Sequence, residues 1–262
     1  MTTKYTKLIF ENTFTKDKDL ENWEIKEYNE IFKGKEPVTD IIPTHVDDGE
    51  KEPTVGGTVS YVAKNVYIKD NNLCLAATND ENGYYGAMMS LKDKKFGKGY
   101  LEVKAKFPPF SNGVWPKMSL VNKDGFITTE NDFAQIMGIR GKNACTLLAT
   151  FYDGDVYKSV NYLYSVNNAW PRFYPDAMSS ELLSEGYHIF ACEQTETDLA
   201  FYVDGIEFSR IDIACPVFAP FNCDGTLNLS IAVGMPKIEA PDETTIAPCE
   251  MQVEYIRFYG EE

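Results

Sequence analysis

Residues 128–138 read TTENDFAQIMG. Two carboxylates, Glu130 and Asp132, stand two residues apart, and an amide, Gln135, follows three residues later. On a regular strand Glu130 and Asp132 share one face and Gln135 falls on the other, because side chains alternate along a strand. One extra residue, a β-bulge around Phe133 and Ala134, would swing Gln135 onto the face of the two acids. Three such groups could straddle a glycosidic bond. Retaining glycosidases hold two carboxyls roughly 5–5.5 Å apart: one attacks the anomeric carbon, the other protonates the leaving oxygen and then activates water. Asp132 between them would hold a proton or a hydrogen bond and separate the pKa values of its neighbours. Gln135 has the shape of Glu but no acidic proton to deliver. On these residues alone three readings stand: a working site, a disabled one, or a surface strand with two solvated acids.

The surrounding chain is rich in strand signals. In YLEVKAKF (100–107), Leu101, Val103, Ala105 and Phe107 face one way and Tyr100, Glu102, Lys104 and Lys106 the other, the period of a half-buried antiparallel strand. NVYIKDNNLCLAAT (65–78) reads as strand, Asp-Asn-Asn turn, strand. LAFYVDGIEFSRI (199–211) is a hairpin turning at Asp204-Gly205. TLNLSIAV (226–233) and MQVEYIRFY (251–259) alternate again. Helical periodicity is scarce, with one possible turn from Glu181 to Ser184. Many strands with turns every 8–12 residues predict an all-β, antiparallel β-sandwich or jelly roll, one domain over residues 1–262. The polar stretch from Lys33 to Gly57 reads as a long loop.

At 262 residues the chain can bury a large core. Aromatics make up 13%, which favours strands and sugar-type binding surfaces. The net charge of −15 disfavours nucleic acid and anionic membranes, since both need a positive footprint. No 18-residue apolar run marks a membrane span. The first residues, MTTKYTKLIFENTF, hold no apolar segment long enough for a secretion signal. The six cysteines show no C-x-x-C and no Cys/His cluster. Cys74, Cys145 and Cys192 read as buried thiols, and a disulfide between Cys215 and Cys223 stays open.

An ordered series of motifs resembles glycoside hydrolase family 16, the β-glucanase and laminarinase family. LIFENTF (8–14) looks like its opening strand, and ENWEI (21–25) follows with the expected Trp. GYYGAMMSLKDKKFGKGYLEVKAKFPP (83–109) resembles its next strand pair. NGVWPKMSL (112–120) is similar to its Gly-x-Trp-Pro-Ala block. ENDFAQ (130–135) falls where the family has Glu-Ile-Asp-Ile-Met-Glu. GYHIFACEQTETDLAFYVDG (186–205), LNLSIAVG (227–234) and MQVEYIRFYG (251–260) resemble the closing strands. Each motif is weak alone; the order is specific, and it spans roughly residues 8–260.

The resemblance implies a jelly-roll sandwich with a concave substrate face, and retaining, endo-acting hydrolysis of a β-linked polysaccharide, β-1,3- or mixed-linkage glucan first. It makes Glu130 the nucleophile, Asp132 its assistant and Gln135 the occupant of the acid/base seat. It implies an extracellular setting, while the sequence itself leaves the compartment open between an intracellular protein and one whose signal is not in this chain; the expected partner is a polysaccharide or oligosaccharide and the expected state a monomer. The runner-up is a non-catalytic carbohydrate-binding protein on the same fold. Trp115 and Trp170 are candidate sugar platforms, Trp115 with a core role as its alternative. Trp23 reads as core, and His188 as a hydrogen-bonded structural His. His45 could edge the cleft by location alone. No cofactor is required; a structural Ca2+ near the first and last strands would use Glu254, which replaces the family's Asp. Three departures, Ala87 for Arg, Gln194 for Trp, and DGFITT (124–129) without the family's Trp-Pro, suggest an altered cleft lining.

Overall fold

The computed structural model describes residues 4–32, 57–109, 111–124, 127–137, 142–153, 156–165, 182–216, 218–234 and 241–261. The strands of the first half are β1 (Lys7–Thr13), β2 (Trp23–Ile25), β3 (Tyr28–Phe32), β4 (Gly57–Tyr61), β5 (Val66–Lys69), β6 (Asn72–Asp80), β7 (Gly83–Tyr85), β8 (Ala87–Leu91) and β9 (Gly99–Lys106). Then come β10 (Val114–Asp124), β11 (Ile127–Met137), β12 (Lys142–Asp153) and β13 (Val156–Ser165). A single helical turn, α1 (Leu182–Glu185), precedes β14 (His188–Gln194), β15 (Asp198–Val203), β16 (Ile206–Asp212), β17 (Thr226–Val233) and β18 (Cys249–Gly260).

Among the described residues these strands form two large antiparallel sheets stacked as a sandwich. One runs β16-β15-β14-β9-β18-β6-β5, with β1 added along β18 and β7 along β6. The other runs β13-β12-β11-β10-β17-β8-β2. The expected all-β sandwich is what the chain forms. β3 and β4 pair with each other as a separate ribbon. The expected loop from Lys33 to Gly57 lies between them: Gly57 opens β4, and residues 33–56 lie outside the described ones.

Alternation explains the core. Leu101, Val103 and Ala105 of β9 join Leu227, Leu229 and Ile231 of β17 and Met118 of β10 in one apolar cluster. Two hairpins close where the sequence predicts them. Asp70 and Asn71, with φ of 52° and 60°, turn β5 into β6; Asp204 and Gly205, with φ of 50° and 76°, turn β15 into β16. Consecutive positive φ values match the right-handed twist of paired strands, and Asp, Asn and Gly tolerate them best.

On the outer face of the nine-stranded sheet, charges pair off. Lys104 meets Glu254 at 2.8 Å, Arg257 meets Glu11 at 2.7 Å, and Arg210 meets Glu207 at 2.6 Å. Tyr100 was expected on this outward face and does lie there. It is nonetheless buried, because Tyr5, Tyr202 and Tyr259 close over it and over Ala191 and Ala200. Beneath these rings the Tyr202 hydroxyl donates to the buried Glu193 carboxylate at 2.6 Å.

Candidate active site

The geometry of the site begins with a count of residues. Against β10, Gln135 lies opposite Lys117 and Ala134 opposite Met118, but the next partner of Ser119 is Asp132. Against β12, Gln135 lies opposite Ala144 and Asp132 opposite Thr146. On both sides β11 contains one residue more than its neighbour, so a β-bulge sits at Phe133–Ala134. Burial agrees: Asn131, Phe133 and Ala134, at 7%, 1% and 4% exposure, are all buried, and the last two are adjacent in sequence. The inward side is used twice in a row, and the register resumes on the outward side at 135. Strand positions 130, 132 and 135 therefore share the outer face of the seven-stranded sheet.

The neighbouring strands supply the floor. Ser119 lies opposite Asp132 on one side and Asn228 of β17 on the other. Lys117 lies between Gln135 and Ser230 of β17, and Met88 of β8 follows Ser230. At one end of this face Tyr61, Trp115 and Ala232 form a small apolar cluster joined by Met88. Gly86 makes that end possible: a Cβ there would collide with the Ile231 carbonyl, so only glycine lets this strand approach β17 while bridging Tyr61.

Trp115 stands on the outer face as a sugar platform requires, yet it is 7% exposed. Its ring packs in the cluster, and the Lys117 ammonium lies 4.8 Å from its centroid. Trp170 and His45 lie outside the described residues. Trp23 is core, as read from sequence, and its indole N–H donates to Asn12 Oδ1 at 2.8 Å. His188 Nδ1 lies 2.7 Å from Asp204 Oδ2 at the base of a hairpin, a structural partnership.

Two of the departures do not line the outer face. Ala87 is fully buried in the core, and Gln194 belongs to β14 in the opposite sheet, where its amide reaches Asn222 at 3.5 Å. Periodicity assigned neither residue to a sheet, so their effect on the cleft could not be judged from sequence. Around Glu254 the nearest charged group is the Lys104 ammonium, a cation. Among the described residues no three His, Cys, Asp or Glu side chains gather to hold a metal. Glu254 is thus held in an ion pair with a cation.

Sequence reading missed what lies beneath β11. Asn131 points into the core and donates from Nδ2 to Cys192 Sγ of the opposite sheet at 3.3 Å. Its Oδ1 is buried with no hydrogen-bond partner among the described residues. Burial pushes the Cys192 thiol up to about 12, with the Asn131 amide working weakly against it, so this sulfur is not a nucleophile. Cys74 is buried too, and Cys215 and Cys223 carry no disulfide.

No protein-family model matches the sequence, and no curated protein does either. Solved structures match the fold. The laminarinase catalytic domain of Thermotoga maritima shares 26% identity, covers 78% of this chain and 83% of its own, and superposes with a TM-score of 0.58. A structure described with endo-acting O-glycanases that initiate mucin breakdown in the human gut microbiota shares 20% identity over 97% of this chain and 91% of its own, TM-score 0.72. An immunostimulatory antigen and pseudo-β-1,3-glucanase of Mycobacterium tuberculosis shares 22% identity over 98% and 100%, TM-score 0.66. With family 16 endo-glucanases and further laminarinases also among the matches, the chain has the fold of glycoside hydrolase family 16.

Proposed function

We propose that the outer face of the seven-stranded sheet binds a β-linked polysaccharide, a β-1,3- or mixed-linkage glucan, as a retaining endo-glycosidase site that lacks its proton donor. The bulge at Phe133–Ala134 carries this reading, because it brings positions 130, 132 and 135 to one face in the order such chemistry needs. Glu130 is the nucleophile. Asp132 assists it by holding a proton or hydrogen bond. Gln135 occupies the seat from which a carboxylic acid would protonate the leaving oxygen. An amide cannot do so, and general acid catalysis is worth about 10²–10⁴ in rate. Natural glycans are then held and turned over poorly. An aryl glycoside with a dinitrophenolate leaving group needs no proton, so Glu130 should still displace it in a single burst.

Gln135→Glu should restore cleavage across a panel of soluble β-glucans and β-galactans, read as new reducing ends. Silence across the whole panel, at every pH from 4 to 8, would sink the glycosidase reading. A second reading, a carbohydrate-binding protein without catalysis, is favoured by Gln135 itself. The likeness to a chain described as a pseudo-glucanase points the same way. Oligosaccharide binding by a Gln135→Glu variant that stays inert would select it.

A further inference from the structure

We propose that Lys117 sets the proton chemistry of position 135: it makes that seat electropositive, so the seat suits a neutral hydrogen-bonding group and would hold a carboxyl there ionised. This rests on the reading of the outer face as a glycan site.

Lys117 is directly across the ladder from Gln135. Directly opposed residues on antiparallel strands hold their Cβ atoms about 4.5–5.5 Å apart. The Lys117 head group leans over the Trp115 ring, 4.8 Å from its centroid. Among the described residues the other titratable or charged positions on this face are Lys123 of β10, Glu130 and Asp132 of β11, Lys142 (on the diagonal from position 135) and Tyr152 of β12, Tyr157 of β13, Tyr61 of β4, and Glu24 at the β2 edge. Glu24 is engaged by Lys26 at 2.6 Å. The facing positions of β17 and β8 near the seat, Asn228, Ser230, Met88 and Ser90, carry no charge. Asp132 and Glu130 lie opposite Ser119 and Val121, two and four positions along β10 from Lys117, so Lys117 is the closest charge by register, and Lys142 adds to its sign.

An opposite charge within about 4–6 Å lowers a carboxyl pKa by about 1–3 units. A retaining glycosidase needs the reverse, an acid kept protonated until the bond breaks. Gln135 and Lys117 are therefore a matched pair, and the amide is not an isolated lesion. Returning a carboxyl to position 135 without removing the cation should give an enzyme confined to acid pH.

The test uses three full-length variants: Gln135→Glu alone, with Lys117→Met, and with Lys117→Arg. Met keeps the apolar stem against Trp115 and removes the charge; Arg keeps the charge. The introduced carboxyl is titrated by ¹³C NMR, assigned by difference from the parent chain. Lys117→Met should raise its pKa by about 1 unit or more, and Lys117→Arg should leave it within about 0.3 units. On soluble β-1,3-glucan, the alkaline limb of the pH–rate profile should move up by the same amount, about tenfold in rate per unit above the limb. Lys117→Gln makes the same comparison if Met disturbs the cluster. A titration shift below about 0.3 units on neutralising Lys117 overturns the proposal, whatever the activity. A full shift with no glycan cleaved by any variant upholds it and removes the glycosidase reading instead.

Discussion

Strands β9 and β11 each lie well inside a sheet, and they use their side chains differently. On β9 the alternation is unbroken: Leu101, Val103 and Ala105 are buried, while Glu102, Lys104 and Lys106 lie outward with partial exposure. Lys104 there meets Glu254, and the Tyr259 hydroxyl donates to Glu102 at 3.2 Å. On β11 the alternation breaks once, at Phe133–Ala134, and an amide, Asn131, sits in the core below. β9 keeps its period of two throughout, whereas β11 departs from it where one more residue is aimed outward; β18 on the β9 side carries a register shift of its own at Val253–Tyr255.

The largest way to break this contrast is at the bulge. Phe133→Ala should cost about 3–5 kcal/mol, because a fully buried ring leaves a cavity at the point where two inward residues must be held together. Lys104→Ala, on the exposed face of β9, should cost no more than about 1 kcal/mol, since its ion pair with Glu254 is partly solvated. Urea unfolding of both variants gives the comparison. Equal costs would mean that Phe133 does not brace the bulge.

Asn131 allows a smaller and opposite effect. Its Oδ1 lacks a partner among the described residues, and its Nδ2 donates to the Cys192 sulfur. Asn131→Leu keeps the approximate shape and removes the buried amide, so it should stabilise the fold by about 1–2 kcal/mol. Loss of stability instead would show that the amide is satisfied, for instance by water. If oligosaccharide binding also weakened, Asn131 would matter to how β11 is set rather than only to packing.

The same contrast explains what the sequence disclosed. β9, β17 and β18 were legible because their signal is local alternation. The Asp70-Asn71 and Asp204-Gly205 turns were legible because those residues tolerate positive φ. Even the bulge could be anticipated, since only a bulge puts Gln135 beside the two acids. Register was not legible. Which residue stands opposite Gln135 depends on how β10 slides against β11, and nothing in NGVWPKMSL announces that Lys117 faces that seat. Contacts across the sandwich were equally hidden. Asn131 and Cys192 lie 61 positions apart, and periodicity gives each a face but not a neighbour. Tyr100 makes the same point on β9: its side was read correctly, and its burial follows from three distant tyrosines.

The smallest effect tests whether the β9 side is as purely structural as it looks. Asp204 opens the β15–β16 turn, and its carboxylate takes hydrogen bonds from the Ile189 N–H at 2.9 Å and from His188, which sits opposite Ala105 of β9. Burial pushes this carboxyl up, but the bonds from His188 and Ile189 outweigh burial and hold it below the usual aspartate range. A folded value below the unfolded one, about 3.9, stabilises the fold fully above that pH, and the stabilisation is lost as pH falls through the lower folded value. Asp204→Asn keeps a residue that accepts positive φ and removes the charge. The cost at pH 7 should be about 1 kcal/mol, since the carboxylate is partly exposed and solvent screens it. Between pH 5 and pH 3 the gap between variant and parent should shrink towards zero, read from unfolding free energies at pH 7, 5 and 3. A gap that stays constant down to pH 3 would place the contribution in the geometry of the turn rather than in the charge.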